Sequence, residues 1–454
     1  MATEASSTGY IETTQPSTYR VLWVCALAVS FTLSVFASFR GGYIGPDYYT
    51  HFERLTDWSK IFDFSTTSPP IYYLLGHGLF LVIGRNNAFP VTLSIAQAAV
   101  NILALYWFFL YSERCFDSRF IHLSLVLFLA FLPVRVIHAA TIGTDATTIP
   151  LFVLLLFLFD RFLSDESSTK RNAALLGLGL GLAVWTKYSF MALIPAVLLL
   201  FVGICAKRRW RFKRLLVICA LSLVLPSALA LHSFWASSRV HGYNTEKHWL
   251  NKGEAPDMDY RDLFSVKVND IQLFRAPEYF KRKILEPHRH GYLGLLQLGV
   301  FTDTMNLFQV PPAGQDIGDV WVPDDKTRPP WKTAVMQASM SLGIVWTFLT
   351  LIGVPWRLLC SVRNLFIDNL QREDVVALLG IALFLVIFLP IPFVRWGALF
   401  GYWTPRLILP ALISFFLAAF LLIDEKIAPN SERRARIVFA LVTLQCTIEA
   451  VMLI

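Results

Sequence analysis

The chain has 454 residues, of which 55% are hydrophobic, 14% aromatic and only 16% charged. Soluble domains carry about 25% charge, so this composition excludes a water-soluble globular protein and indicates an integral membrane protein. The formal net charge of +8 is spread in short basic clusters between apolar stretches; it serves orientation in a bilayer and does not argue for nucleic acid as a partner.

The segment before Tyr19 is polar and carries acids but no base, unlike the charged start of a signal peptide. The first apolar span, 21–39, is therefore expected to stay in the membrane, with Arg20 at its cytoplasmic end. A spanning helix needs about 20 mostly apolar residues, which gives about eleven spans. They are placed at 21–39, 88–110, 119–135, 146–163, 173–187, 188–206, 214–232, 335–356, 374–392, 402–423 and 435–453. The expected class is an all-α polytopic membrane protein.

Basic residues occupy alternate short loops: Arg114 and Arg119; Arg161, Lys170 and Arg171; Lys207 to Arg214; Arg357 and Arg363; Arg433 to Arg436. The positive-inside rule makes this face cytoplasmic. The opposite face then receives 40–87, the turn 136–145, a tight turn at Lys187, the loop 233–334 and the turn 393–404. The chain divides into an N-terminal membrane module (1–232) with a polar first loop (40–87), an extracytoplasmic loop or subdomain (233–334), and C-terminal spans (335–454). The apolar stretch 71–83 is too short to cross and is expected to lie in the interface plane.

Spans five and six meet through Ala183-Val184-Trp185-Thr186-Lys187. A lysine inside hydrocarbon costs at least about 2.5 kcal/mol, so Lys187 must reach an interface, an anion or both. Gly177, Gly179 and Gly181 before it allow close helix contact. The six cysteines lie in or beside apolar spans without CxxC spacing and read as packing residues.

The first outer loop holds Gly45-Pro46-Asp47-Tyr48-Tyr49-Thr50-His51-Phe52-Glu53, then Ser68-Pro69-Pro70-Ile71-Tyr72-Tyr73. Two carboxylates and an imidazole at a membrane surface suit acid–base chemistry, with Asp47 as general base; alone, Asp47 is also an ordinary turn acid. His51 and Glu53 are either further site groups or water-facing residues of an interface helix. Asp145 opens span four, where it complements the helix dipole or holds a sugar hydroxyl or metal. Lys187 and Arg406 are cations that either snorkel to headgroups or bind phosphate. Arg135 and Arg395 share that chemistry. His288, His290 and Asp303 are metal candidates without a ligand-rich surrounding, and the need for a divalent ion stays open. Tyr402 and Trp403 read as interface anchors.

These residues, in this order and on this face, resemble the GT-C superfamily of integral membrane glycosyltransferases, in particular bacterial relatives of protein O-mannosyltransferase and lipid A aminoarabinose transferase. Pro46 to Phe52 resembles the first-loop acidic motif, and Ser68 to Leu74 a His-Pro-Pro-Leu-Tyr-Tyr motif. Gly179 to Lys187 is similar to the Thr-Lys hairpin, Asp145 to the span-four acid, and Tyr402 to Pro410 to the late Arg…Pro segment. The departures are Tyr48 in place of a second acid, Ser68 in place of histidine, and no arginine directly before the span-four acid.

The resemblance implies juxtamembrane helices on the non-cytoplasmic side and a polyprenyl-phosphate sugar donor. Asp47 would be catalytic, Lys187 and Arg406 would neutralise the phosphate, and His51, Glu53, Asp145 and Asp303 complete the expected substrate-binding set. The acceptor would be a glycan, lipid or protein, and the location a plasma (inner) membrane with the site on its periplasmic or extracytoplasmic face. The alternative is a transporter or flippase of lipid-linked or anionic solutes, which calls for acids in mid-span and paired broken helices.

Overall fold

A backbone in hydrocarbon has no water to bond, so a chain this apolar must satisfy its N–H and C=O groups within helices. The structure, a computed structural model, describes residues 16–41, 43, 48–62, 69–164, 169–187, 190, 193–195, 197–198, 216–224, 227–228, 297, 299–301, 330–367, 370–388 and 409–454, and regular structure among them is helical throughout. Five helices among the described residues are long and apolar enough to cross a membrane. They lie in α1 (Pro16–Phe39), α5 (Ala88–Ser112), α8 (Thr148–Ser164), α10 (Pro330–Phe366) and α13 (Glu432–Leu453). The chain is a multi-pass, all-helical membrane protein of the expected class.

Between α1 and α5 lie three short helices, α2 (Tyr48–Thr56), α3 (Trp58–Ile61) and α4 (Ile71–Ile83). The expected start of the span at 88 holds, and the short helix α4 begins directly after the Pro69-Pro70 pair, whereas α1 begins at Pro16, ahead of the expected 21. The expected single span 119–135 does not hold. It is a bent pair, α6 (Arg119–Phe131) and α7 (Pro133–Ala140), meeting at 47°. Leu132 leaves helical geometry at ψ 118, because Pro133 disfavours the helical conformation of the residue before it and supplies no N–H. The bend sends α7 toward the turn 141–147, so this proline sets the direction from which Asp145 is reached.

The remaining described helices are α9 (Thr169–Thr186), α11 (Arg372–Phe388) and α12 (Leu409–Leu422). Every residue of α12 is buried, which makes it the axis of the C-terminal half, packed against both α10 and α11. Gly353 of α10 permits this approach: a Cβ there would lie 2.9 Å from the Ala418 carbonyl. Phe128 of α6 meets Phe416 of α12 edge to face at 4.7 Å, joining the two halves through aromatic packing. Gly177 of α9 abuts the helical segment 216–224, where a Cβ would sit 3.0 Å from the Ile218 carbonyl, as its small size suggests. Helix α10 runs about 55 Å at 1.5 Å per residue, well beyond a hydrocarbon core and beyond the expected span 335–356.

Ionic contacts gather at one end of the bundle. Arg20 pairs with Glu113 at 3.5 Å and Arg372 with Asp160 at 3.0 Å. Asp424 accepts from the Asp117 and Ser118 amides at 2.8 and 3.2 Å. Arg357 pairs with Asp374, Glu373 and Glu425 at 2.5, 3.2 and 3.5 Å. These contacts draw the segment 113–119, the start of α11 and the segment 423–431 together at the end opposite α2 to α4. Among the described cysteines, Cys25, Cys115, Cys219, Cys360 and Cys446 are free thiols. The expected span 188–206 and loop 233–334 lie mostly outside the described residues.

Asp374 is fully buried and also accepts from Ser361 at 2.8 Å and Asn364 at 2.9 Å. Arg357→Ala leaves that carboxylate without its cation, and a loss of about 3–5 kcal/mol is expected. Thermal unfolding of the purified protein in detergent should show a lower midpoint for Arg357→Ala than for Arg363→Ala, whose site is exposed.

Candidate active site

Helix α2 is amphipathic in the way its sequence spacing dictates. His51, Arg54 and Leu55 fall at i, i+3 and i+4 and are buried, while Tyr49, Thr50 and Glu53 face outward. Helix α4 presents Tyr72, Tyr73, Gly76 and His77 to the protein. Gly76 makes room for Leu55, and His77 Nδ1 hydrogen-bonds the Leu55 carbonyl at 2.8 Å. The other face of α4 exposes Leu75, Leu81 and Val82 at 72%, 71% and 84%, an apolar stripe suited to lying in the membrane interface.

Arg54 is 2% exposed and holds this pair of helices together. Its guanidinium lies 3.9 Å from the Tyr73 ring centroid. Its Nε donates to the Lys60 carbonyl at 3.1 Å and its Nη2 to the Ile61 carbonyl at 2.8 Å. On the same ring system, His51 Nδ1 bonds the Tyr73 hydroxyl at 2.6 Å. Tyr48, at the start of α2, packs on Tyr43 and Phe52, and burial pushes its phenol above the ordinary value, so it is a neutral hydroxyl.

The turn 141–147 closes over this cluster. Ile142 donates its amide to the Tyr43 carbonyl at 2.9 Å, and Asn101 of α5 donates to the Ala146 carbonyl at 2.6 Å. Asp145, in the short 3-10 turn Thr144–Thr147 that opens α8, forms an ion pair with Lys187 at the end of α9. The two side chains are 15% and 8% exposed. Lys187 begins a turn: its amide still bonds the Ala183 carbonyl at 2.8 Å, and its own carbonyl receives the Phe190 amide at 3.1 Å.

The structure thus brings His51, Asp145 and Lys187 into one neighbourhood formed by α2, α4, the turn 141–147 and the end of α9. Glu53 faces outward, 59% exposed, and is paired with Lys60. Asp47, Asp303 and Arg406 lie outside the described residues, as do Ser68, His288, His290, Arg395, Tyr402 and Trp403. Arg135 is buried within the bundle, bonded through Nη2 to Ser30 Oγ and the Ala130 carbonyl, with Nε and Nη1 unpartnered. Among the described residues no three His, Cys, Asp or Glu side chains cluster to hold a metal ion. Sequence reasoning missed Arg54, Gln97, Asn101 and Gly143; the spacing of Arg54 and Leu55 from His51 on one helix was the available signal for the first.

A family model described as dolichyl-phosphate-mannose-protein mannosyltransferase matches residues 67–234. Among solved structures, the chain is similar to the oligosaccharyltransferase of Archaeoglobus fulgidus in its apo form. That likeness has a TM-score of 0.50 at 13% identity and covers 97% of this chain and 56% of that one. It is also similar to ArnT from Cupriavidus metallidurans bound to undecaprenyl phosphate, with a TM-score of 0.37 at 15% identity, covering 89% of this chain and 77% of that one. This chain thus spans little more than half the length of the oligosaccharyltransferase. No curated protein matches it. The oligosaccharyltransferase likeness shows a shared fold.

Arg54→Ala removes two carbonyl bonds and a ring contact at once and should lower stability by about 2–4 kcal/mol. Because a lysine ammonium does not reproduce the guanidinium fork, Arg54→Lys should recover less than half of that loss in thermal unfolding.

Proposed function

We propose that this protein is a membrane glycosyltransferase that takes a sugar from a polyprenyl-phosphate donor and passes it to an acceptor hydroxyl on the extracytoplasmic side. The observation that carries the reading is the Asp145–Lys187 pair, nearly buried at the same end of the bundle as α2, the helix that directly follows Asp47 in sequence. The match of residues 67–234 to a mannosyltransferase family model supports the same class of chemistry.

In this reading the acceptor oxygen attacks the anomeric carbon while Asp47 takes its proton, and the bond from that carbon to the phosphate oxygen breaks. The departing phosphate needs a cation in place before it leaves. Lys187 supplies one: an ammonium has three N–H donors, so a carboxylate and a phosphate oxygen are compatible ligands for it. Asp145 fixes the amine and lowers the cost of keeping it in an apolar setting. Arg406 is the second proposed phosphate ligand, and Glu53 and Asp303 are proposed on the acceptor or sugar side. One base without a second carboxylate as nucleophile favours inversion at the anomeric carbon; the sugar is a hexose or pentose.

The test is incubation of the purified protein with radiolabelled polyprenyl-phosphate sugars. Consumption of one donor is expected, abolished by Asp47→Asn in a folded protein; near-normal turnover by Asp47→Asn removes that residue from the mechanism. Lys187→Ala should raise the half-saturating concentration of sugar donor about tenfold or more while moving that of acceptor less. Equal effects on both would give Lys187 a structural role only.

A further inference from the structure

Three elements converge on the turn 141–147 that carries Asp145. Gln97 Nε2 of α5 donates to the Tyr72 hydroxyl of α4 at 3.3 Å and to the Thr141 carbonyl at 3.5 Å, bridging α4 to the turn. His51 of α2 lies against the other side: a methyl group on Gly143 would sit 3.2 Å from His51 Nε2 and 3.3 Å from its Cδ2. The adjacent Tyr73 fixes His51 itself, through the 2.6 Å bond at Nδ1 and a ring offset by 5.8 Å at 27°. Tyr72 closes the set edge-on to the same imidazole at 6.3 Å and 76°. His51 is 7%, Tyr72 4% and Tyr73 0% exposed, so these are interior contacts shielded from water.

Such an interlock has one mechanical consequence. Helix α2 cannot shift against the turn 141–147 without breaking the His51–Tyr73 bond or pressing the imidazole into Gly143. Glycine is favoured there by close approach and not by conformation, since its backbone is extended at φ 166. We propose that His51, Tyr72, Tyr73 and Gly143 form a latch that makes α2 and the Asp145 turn one body. His51 is then a positioning residue and not a substrate ligand. Rested on the glycosyl-transfer reading, the latch holds the segment that begins next to Asp47 in register with the Asp145–Lys187 pair. Misplacement of reacting groups by about 1 Å costs up to about a hundredfold in rate, so a rigid connection between the two segments serves the chemistry directly.

The latch also explains why two tyrosines follow each other in Pro69-Pro70-Ile71-Tyr72-Tyr73. Successive residues on a helix point about 100° apart. One ring can therefore reach Gln97, and through it the turn, while its neighbour reaches α2. Burial raises the Tyr72 phenol well above its ordinary value, so its hydroxyl stays neutral and keeps the Gln97 bond.

The test uses the full chain in lipid nanodiscs, with Tyr73→Phe, Gly143→Ala, His51→Ala and His51→Asn, the last retaining an amide near the Nδ1 position. Amide hydrogen exchange is the readout that needs no substrate. Tyr73→Phe and His51→Ala should speed exchange in 48–56 and in 141–147 together, by about tenfold, and His51→Asn should restore most of the protection. Faster exchange in 48–56 alone, or none in either segment, overturns the latch. In the transfer assay Tyr73→Phe, Gly143→Ala and His51→Ala should lower kcat about 10- to 100-fold with the donor KM within about twofold, and His51→Asn should recover most of the rate. A donor or acceptor KM that rises in step with the fall in kcat overturns the positioning role and returns His51 to the substrate. If the native protein consumes no polyprenyl-phosphate sugar, the transferase reading falls, and the exchange result still decides the latch.

Discussion

An amine cannot sit in hydrocarbon without a partner, and the Asp145–Lys187 ion pair is this protein's answer to that constraint. Lys187 ends an otherwise apolar helix whose glycines press it against its neighbours, so it has little room to snorkel toward headgroups. The carboxylate must be brought to it. Much of the surrounding architecture does this: Pro133 bends the chain between α6 and α7, α7 leads toward the turn 141–147, and Asn101 pins the turn from which Asp145 projects. A pair nearly enclosed by protein is a weak contributor to stability, because desolvation offsets the Coulombic gain.

The two ends of the bundle use charge differently. At the end that gathers the basic loops, Arg357, Asp374, Arg372 and Asp160 tie helices to one another, and the Asp374 carboxylate also accepts from Ser361, Asn364 and the Gln371 amide. At the other end, described contacts include the His51–Tyr73 bond, the His77–Leu55 bond and the Arg54 guanidinium stacked on Tyr73, beside the Asp145–Lys187 pair.

Much of the fold was legible because apolar length is a strong signal. The starts at Ala88, Ile71 and Arg119 follow from composition, proline placement and the serine cap at Ser118, which accepts from the Ile121 amide at 3.4 Å. The break at Pro133 was not legible: the residues on both sides are apolar, so hydropathy continues where the helix does not. Asp145 and Lys187 were legible as single oddities, but their pairing was not, since 42 positions separate them. His51 was read as either a further site group or a water-facing residue of an interface helix. Its burial against Tyr73 and Gly143 depends on α4 and the turn 141–147 arriving from elsewhere in the chain, which spacing within one loop does not encode.

The central claim is that the ammonium held by Asp145 is a phosphate ligand and not only a buried counterion. The most direct measurement is the dissociation constant of undecaprenyl phosphate for the native protein and for Lys187→Met, a substitution that keeps the apolar stem. The account predicts a loss of affinity of about tenfold or more, consistent with a charge-assisted bond of about 1.5–3 kcal/mol. An unchanged constant in a folded Lys187→Met protein would contradict it.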